Sequence, residues 1–292
     1  MQDKKRLIVI DSNSVIHRAF HALPPLTTKK GEVVGAVYGF LLVFLKAIKE
    51  FKPDFVVACF DIKGPTFRHE KYEGYKAKRP KAPDELYQQI PKVKEVLAGF
   101  GVSVYEKQGF EGDDIIGTIA RLAPQRQILP ELETIIVSGD SDNLQLIDEK
   151  TKVYTLRKGV KDTVLYNEAM VAQRYQGLTP KQLIDYRALR GDPTDNIIGV
   201  PGIGEKTALT LIKEYGTLEK IYDNLPLISA KIREKLIQHK DEAFMSRELA
   251  AIYTNVPLDF NLEDCQWQNY DKTKATQVLE DLNFYSLIPR LP

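Results

Sequence analysis

Cysteine is scarce in this chain of 292 residues, which has only Cys59 and Cys265. The two lie far apart and lack the short spacing of metal-binding cysteine motifs. Their scarcity argues against a zinc site and a disulfide framework, and it fits a reducing compartment. The four histidines show no ligand spacing either, so we interpret them as packing or surface residues.

Long apolar runs and a large net charge are also missing. No stretch approaches the roughly 20 apolar residues that cross a bilayer, and the charged segment 1–14 carries an apolar run too short for a signal peptide. We therefore expect a cytoplasmic protein without membrane contact. The formal charge is +1, so only the distribution of charge can indicate a nucleic-acid partner.

Three short apolar runs rich in β-branched residues predict buried strands at 6–10, 54–60 and 134–138. Helical patterns alternate with them, at 36–51, at 84–101 and from residue 113. Such alternation is typical of a mostly parallel central sheet flanked by helices on both faces. The sequence therefore predicts an α/β fold for residues 1–175.

Strand signals fade after about residue 175. Thr179 is a suitable N-cap for a helix over 179–191, with Pro180 at its first position. Further helices are predicted at 204–216 and 229–253. We therefore expect a second, smaller helical unit over residues 176–292.

Each predicted strand runs into aspartate: Asp11 follows the first, Asp61 the second, and Asp140 and Asp142 the third. In parallel sheets, ligands bind beyond the carboxyl ends of the strands. One topology thus brings these four carboxylates to the same edge.

More acids lie at the start of the next helix and in the second unit. Glu111 and Asp114 are three residues apart and can share a helical face, whereas Asp113 need not point with them. Asp192 and Asp195 follow the first helix of the second unit. Taken singly, each acid could be an ordinary turn, cap or helix-dipole residue.

Taken together, the acids favour a metal centre. Like charges held close oppose folding unless a cation intervenes, and oxygen-only ligands suit Mg²⁺ or Mn²⁺ rather than zinc. More acids than one ion needs indicate two ions, a pair suited to phosphodiester cleavage. We expect Asp114 to bind metal directly. Asp113 is expected to act through a metal-bound water or by contacting the residues that bind the metal.

Residues 63–81 hold seven Lys or Arg against two Glu, with Phe67, Tyr72 and Tyr75 between them. Basic side chains hold phosphates and aromatic rings stack on unpaired bases, although a solvated loop is the plain alternative. Residues 199–208, GVPGIGEKTA, have the glycine spacing of a helix–hairpin–helix turn, where backbone N–H groups approach a phosphate. An ordinary turn is the alternative there.

Together these residues resemble the flap endonuclease family, in the form of the 5′-nuclease domain of bacterial DNA polymerase I. Ser12 replaces the usual glycine of the first motif, and Gly112, Ser141 and Thr194 also differ from common residues, but no carboxylate is missing. The matching segments occur in the family's order over about residues 7 to 215: VIDSNSVIHRAFHALP, CFDIKGPTFRHEKYEGYKAKR, EGDDIIGTIA, SGDSDNLQLI and GDPTDNIIGVPGIGEKTA.

The resemblance implies a PIN-like or resolvase-like α/β unit with a helical arch at about 65–90, and a helix-three-turn-helix at about 180–216. It implies a structure-specific 5′–3′ exonuclease and flap endonuclease of DNA replication and repair. The substrates would be duplex DNA with 5′ flaps, nicks or RNA primers. It further implies two or more Mg²⁺, replaceable by Mn²⁺, with K⁺ at the hairpin. A monomer with a covalently linked polymerase domain, associated with the bacterial nucleoid, is also implied.

The resemblance also assigns roles to residues. The implied catalytic residues are Asp11, Asp61, Arg68, Lys76 and Arg79. The implied metal ligands are Asp11, Asp61, Glu111, Asp113, Asp114, Asp140, Asp142, Asp192 and Asp195. The implied nucleic-acid contacts are Arg18, Arg68, Tyr75, Lys76, Arg79, Gly202, Gly204 and Lys206.

Two other functions stay open at this point. One is a module that binds branched DNA with little or no turnover, against which the complete set of acids argues. The other is a ribonuclease of the related PIN-like class, which generally lacks the glycine hairpin and the basic arch.

Overall fold

The protein is described from a computed structural model over residues 4–125, 131–267 and 270–292. Its centre is one six-stranded sheet in the order β3-β2-β1-β4-β5-β6. The first five strands run parallel, and β6 is antiparallel to β5. The strands are β1 Arg6–Asp11, β2 Phe55–Cys59, β3 Ser103–Tyr105, β4 Glu133–Ser138, β5 Thr151–Lys158 and β6 Asp162–Tyr166.

The three strands predicted from apolar runs are confirmed as β1, β2 and β4, and the mostly parallel sheet with flanking helices is confirmed with them. The other three strands were missed for physical reasons. β3 is only three residues long. β6 is an edge strand and only partly buried, and β5, which lies between β4 and β6, mixes polar with apolar residues and ends on the exposed Arg157 and Lys158. Neither strand therefore shows a continuous apolar run.

Helices cover both faces of the sheet. Along β1, Ile8 and Ile10 belong to one apolar core and Leu7 and Val9 to the other, as the period of a strand requires. The first core is closed mainly by α1, α2 and α5, the second mainly by α6. These helices and their neighbours are α1 Ser12–Ala22, α2 Gly35–Phe51, α3 Phe67–Lys71, α4 Asp84–Tyr87, α5 Gln89–Gly99, α6 Gly112–Leu122 and α7 Glu168–Arg174.

The segment expected to form an arch carries only short helices. α3 has five residues and α4 has four, and turns and a loop join them. The single helix predicted over 84–101 is therefore α4 followed by α5. Residues 63–81, called the basic segment from here on, pack against the carboxyl edge of the sheet, as described below.

The helical unit has an apolar core of its own. The prediction of Thr179 as a helix N-cap is wrong: α8 begins at Gln182, and Thr179 instead opens the preceding turn, where its carbonyl accepts the N–H of Gln182. The prediction of one helix over 229–253 is also wrong, because His239 leaves helical geometry and separates two helices. The helices of the unit are α8 Gln182–Arg190, α9 Glu205–Tyr215, α10 Leu218–Asp223, α11 Ala230–Gln238 and α12 Lys240–Ala250.

The segment after α12 returns to the sheet. Trp267 donates its backbone N–H to the carbonyl of Asp54, just before β2, at 2.8 Å. Leu279, in helix α13 Lys272–Asp281, and Leu287 belong to the same core as α2 and α5. The packing of this segment therefore crosses the predicted boundary at residue 175.

No helix among the described residues has both the length and the apolar character needed to cross a bilayer.

Candidate active site at the carboxyl edge of the sheet

A cavity of about 410 Å³ opens at the carboxyl ends of β1, β2 and β4. The sheet supplies Asp11 and, just past β2, Asp61, and the turn after β4 supplies Asp140. The start of α6, the basic segment and the helical unit form the remaining walls. The predicted gathering of strand-end aspartates at one edge is therefore what the topology produces.

Asp11 ends β1 and is almost fully buried. Its carboxylate accepts hydrogen bonds from the Ser138 hydroxyl at 2.5 Å and the Ser14 backbone N–H at 3.2 Å. Burial raises the pKa of Asp11 from 3.8 to about 6 against these hydrogen bonds, and the charges of Asp140 and Asp61 add to the rise. Negative charge at this point is therefore costly without a cation.

Asp113 faces the same cavity. The side-chain amide of Asn143 donates to its Oδ1 at 2.8 Å. Burial, followed by the charges of Asp11 and Asp140, raises the pKa of Asp113 well above its usual range. The carboxylate of Asp113 therefore lies near other carboxylates and not beside a positively charged side chain.

Asp61 and Asp142 complete this wall of the cavity. Asp61 accepts the Gly112 N–H at 2.6 Å, and burial raises its pKa. Burial and the charge of Asp140 raise the pKa of Asp142 well above the ordinary value, although Arg187 acts in the opposite direction.

The donors fit a hard divalent cation in chemistry, because the mutually repelling groups are all carboxylates. Within the described ranges, however, no three His, Cys, Asp or Glu side chains already converge around a point that could hold a metal ion. Hydrogen bonds from Ser138, Asn143 and Gly112 hold the acids apart. A bound cation would have to draw them together.

Asp114, by contrast, lies beneath the cavity with 0% of its surface exposed. Arg68 grips both of its oxygens, at 2.8 and 2.7 Å. The carboxylate also accepts the backbone N–H groups of Tyr253 at 2.8 Å and Glu111 at 3.0 Å. The preference we drew from the sequence is therefore reversed: Asp113 faces the cavity and Asp114 is committed to the protein.

Arg68 is buried together with Asp114. Its Nε donates to the carbonyl of Leu249 at 2.9 Å, and its Nη2 donates to that of Ala251 at 2.7 Å. The guanidinium thus ties α3 to α6 and to the end of α12. With every nitrogen engaged, Arg68 is not free to hold a phosphate in this conformation, as its assigned role would require.

The basic segment neutralises the acids on the opposite wall. Lys76 Nζ lies 2.7 Å from Glu111 Oε1, and Arg79 Nε lies 3.0 Å from Asp195 Oδ1. Although burial acts in the opposite direction, the charges of Lys76 and Arg68 lower the pKa of Glu111. Glu111 therefore carries its negative charge without any added ion.

Tyr75 links the same two acids. Its hydroxyl is 3.1 Å from Glu111 Oε2 and 3.3 Å from Asp195 Oδ2. Only 3% of the residue is exposed, so its ring cannot stack on a base in this conformation. The sequence pattern suggested an accessible ring, but packing against Ile197 and Leu249 buries it.

Arg187 of α8 is a site residue that sequence reasoning missed. Its Nη2 pairs with Asp142 across the boundary between the two units. The residue is 8% exposed, and its Nη1 has no hydrogen-bond partner among the described residues. A signal existed: Arg187 stands four residues after Leu183, on the apolar stripe of its helix, where an unpaired charge is unexpected.

Ser138 was also missed. Besides Asp11, its hydroxyl lies 2.9 Å from the backbone N–H of Asp140 and 3.2 Å from the Ser14 hydroxyl. It therefore fixes the end of β1 relative to the end of β4. Serine is common at the end of an apolar strand, so the sequence gives no reason to single out Ser138.

The remaining predicted residues lie around the cavity. Arg18 lines its rim and donates to the Gly139 carbonyl at 2.9 Å. Asp192 accepts the Thr194 N–H at 2.9 Å and does not itself line the cavity, although its charge contributes to the raised pKa of Asp142.

The glycine hairpin lies between α8 and α9, as predicted. Gly199 and Gly202 have positive φ, 68° and 78°, which only glycine adopts readily. A Cβ at Gly199 would meet the Gly191 nitrogen at 2.3 Å, so the two ends of the 191–199 loop, which precedes the hairpin, touch through backbone alone. Gly204 caps α9 beside open space, and Lys206 is exposed on its first turn.

Comparison with known proteins gives two family matches over most of the chain. Residues 6–176 match the 5′–3′ exonuclease, N-terminal resolvase-like domain, and residues 178–273 match the 5′–3′ exonuclease, C-terminal SAM fold.

Among curated proteins, DNA polymerase I of Bacillus subtilis is 40% identical over 292 residues, which are 100% of this chain and 33% of that protein. DNA polymerase I of Caldicellulosiruptor bescii is 42% identical over 288 residues, 98% of this chain and 33% of that protein. The chain thus spans about a third of the length of these relatives.

Solved structures share the fold. The bacteriophage T5 D15 protein co-crystallised with metal ions has a TM-score of 0.71 at 20% identity, covering 94% of this chain and 99% of that one. The catalytic core of Rad2 in complex with DNA substrate has a TM-score of 0.59 at 19% identity, covering 99% and 93%. With its acidic cavity, its glycine hairpin and both family matches, the chain belongs to the 5′–3′ exonuclease family, whose N-terminal resolvase-like and C-terminal SAM-fold domains it contains.

Proposed function

We propose that the chain hydrolyses phosphodiester bonds in duplex DNA that carries 5′ flaps or nicks, with two Mg²⁺ ions as cofactors and Mn²⁺ as a substitute. The observation that carries this proposal is the group of buried carboxyls with raised pKa at the carboxyl edge of the sheet: Asp11, Asp61, Asp113 and Asp142. Divalent cations would relieve this repulsion and are what phosphodiester cleavage needs.

The residues placed to hold the ions are Asp11, Asp61, Asp113, Asp140 and Asp142, which all line the cavity. Glu111 and Asp195 would join them only after exchanging their basic partners. When bound, such ions lower the pKa of a water nucleophile and stabilise the leaving oxygen. Ser138 and Asn143 hold Asp11 and Asp113 at the cavity by hydrogen bonds, and the two carboxylates would shift from these positions when the ions bind.

Lys76 and Arg79 are proposed to bind the scissile phosphate. In the described conformation each is held by a carboxylate. Once the negative charge of the cavity is balanced, a phosphate can replace that carboxylate as the partner of each cation, because charge-assisted hydrogen bonds to either anion are similar in strength. The basic segment would then move from the acids to the substrate.

The helical unit is proposed to hold the duplex next to the site. Gly204 and Lys206 present a helix N-terminus and a positive charge to solvent, which suits a backbone phosphate. K⁺ is proposed at the same hairpin. In support, the carbonyl of Gly202 already accepts the ammonium group of Lys235 at 2.8 Å.

The biological setting follows from the relatives. Because they are DNA polymerases of which this chain matches a third, a linked polymerase and RNA-primer removal during replication and repair are part of the proposal. The T5 protein with metal ions and the Rad2 core with DNA substrate support the choice of cofactor class and substrate class.

The test is cleavage of a labelled 5′-flap duplex in Mg²⁺, with EDTA as the control. We expect cleavage only with Mg²⁺, and loss of cleavage in Asp11→Asn but not in Asp259→Asn, which alters an exposed acid outside the cavity. Binding without cleavage by the wild type would favour a branched-DNA-binding module. Preferential cleavage of single-stranded RNA would favour a PIN-like ribonuclease.

A further inference from the structure

A second cleft lies beside the active-site cavity, on the β5–β6 side. Its volume is about 450 Å³, and Arg18, Gly139 and Asp140 line both it and the cavity. The two spaces therefore share a rim. Arg157, Arg174 and Tyr166 line the far side of the cleft.

The cleft is strongly basic. It is lined by three arginines, Arg18, Arg157 and Arg174, and by one acid, Asp140, among the described residues. Arg157 is exposed and forms no hydrogen bond or ion pair with any described residue. Its guanidinium is thus available to an anion from solvent.

The backbone is adapted at this point. The pairing of β5 with β6 is regular up to Leu156 and then shifts register before Lys158, which leaves Arg157 as the extra residue of a bulge. Bulges near active sites re-aim a side chain out of the regular alternation. Here the bulge coincides with the one lining arginine that β5 contributes.

Arg174 is held from the other side. Its guanidinium lies over the rings of Tyr166 and Tyr175, 5.7 and 5.3 Å from their centroids, and Nη1 is 3.3 Å from the Tyr166 hydroxyl. Stacking of this kind restrains a long side chain and leaves its other donors free. The cleft therefore offers one restrained arginine and one unpaired arginine.

We infer that this cleft binds one or two backbone phosphates of the DNA strand next to the scissile phosphate. The inference rests on the proposed function for the identity of the ligand as DNA. Guanidinium groups match phosphate oxygens in geometry and charge. The shared rim at Arg18 gives a strand leaving the cavity a continuous path into the cleft.

Binding in EDTA tests the inference apart from cleavage. The probe is a fluorescent 5′-flap duplex, titrated over a range of salt concentrations. Arg157→Gln/Arg174→Gln should weaken binding severalfold and reduce the slope of log K against log salt by about 1 to 2, since each phosphate contact contributes about 0.9. Lys158→Gln, an exposed neighbour outside the cleft, should leave the slope within about 0.5 of the wild type.

Two further experiments test whether the positive charge of the two side chains is sufficient and which phosphates they contact. Arg157→Lys/Arg174→Lys should restore most of the slope, and thermal melting checks that each variant is folded. Methylphosphonate substitutions are placed singly along the strand on both sides of the scissile bond. At one or two positions the substitution should weaken the wild type severalfold and leave the double Gln variant unaffected.

An unchanged salt slope in the double Gln variant, or equal sensitivity of the wild type and the variant at every methylphosphonate position, would overturn the inference. Either result would leave the proposed function intact if the wild type still cleaves flap DNA in Mg²⁺. Conversely, the expected difference in slope between the wild type and the double Gln variant, together with a wild type that does not cleave, would contradict the proposed function alone.

Discussion

The acids around the cavity form two groups that differ in what balances their charge. The open acids are Asp11, Asp61, Asp113 and Asp140, which line the cavity and have no salt-bridge partner among the described residues. The paired acids are Glu111, Asp114 and Asp195, which contact Lys76, Arg68 and Arg79. The protein thus supplies cations for one group and leaves the other to an outside cation. In this conformation only some of the acids in the motifs are therefore left without a protein cation.

The adjacent residues Asp113 and Asp114 belong to different groups, the first to the open acids and the second to the paired acids. In an α-helix, successive side chains point about 100° apart, so one faces the cavity and the other faces Arg68. Exchanging or removing members of the two groups should therefore change different properties of the protein.

The largest expected effect is on stability. Asp114→Ala leaves the Arg68 guanidinium buried without its carboxylate, which costs about 3–5 kcal/mol of unfolding free energy. Urea denaturation measures this, with Asp113→Ala as the matched control that should not destabilise. Replacing both partners, as Arg68→Met/Asp114→Leu, should recover only part of the loss, because the backbone groups that the pair holds, the N–H groups of Glu111 and Tyr253 among them, also lose their partners. A cost below about 1 kcal/mol for Asp114→Ala, the value of a surface pair, would contradict the assignment.

The next effect is on catalysis. Asp113→Asn removes a carboxylate that faces the cavity and keeps the side-chain shape, so flap cleavage in Mg²⁺ should fall by at least about 100-fold, since even partners behind the direct ligands cost 10–100-fold. Single-turnover cleavage is the measurement. Asp259→Asn, at an exposed site away from the cavity, should retain wild-type rates. Comparable rates for Asp113→Asn and the wild type would place Asp113 with the structural acids.

The open acids should also affect how the stability of the protein depends on pH. Because the folded pKa of Asp11 is raised from 3.8 to about 6, the native state binds the proton more tightly than the unfolded state. The stabilisation from that proton is present below pH 4 and is lost as pH rises from 4 to 6. In EDTA, Asp11→Asn should therefore be about 1–2 kcal/mol more stable than the wild type at pH 7. The difference should shrink towards pH 4, as melting curves would record, and a constant difference across this range would refute the reasoning.

Asp142 belongs to both groups, because it lies among the open acids and also pairs with Arg187. Arg187→Met removes a positive charge that repels a cation at this end of the cavity, so Mn²⁺ should bind about tenfold more tightly in the absence of DNA. Calorimetric titration measures the affinity. Arg190→Met, on the same helix but exposed and lying over Tyr186, is the control that should not change it. Equal affinities in both variants would show that Arg187 does not contribute to the field at the site.

The fold was predictable where the sequence pattern reflects full burial. β1, β2 and β4 lie inside the sheet and are buried along almost their whole length, whereas β5 mixes polar with apolar residues beside β6, an edge strand that is only partly buried. The gathering of Asp11, Asp61 and Asp140 followed from topology alone. The assignment of individual ligands came from the family resemblance and remains a prediction.

The side-chain contacts between distant parts of the chain were not predictable from the sequence in the same way. Arg68 and Asp114 are 46 positions apart, and nothing local to either residue indicates that they meet. The burial of Tyr75 likewise depends on Ile197 and Leu249, from a different unit. Such contacts are set by how the basic segment packs between the two units, which no periodicity reveals.

The return of the C-terminal segment to the sheet has a consequence for the order of folding. The hydrogen bond from Trp267 to Asp54 and the packing of Leu279 near α2 close a core whose first strands are made early in synthesis. That apolar surface stays uncovered until the ribosome has produced the whole helical unit in between. The early part of the chain must therefore be protected from aggregation while it waits, and a fragment that ends at residue 175 should be poorly soluble.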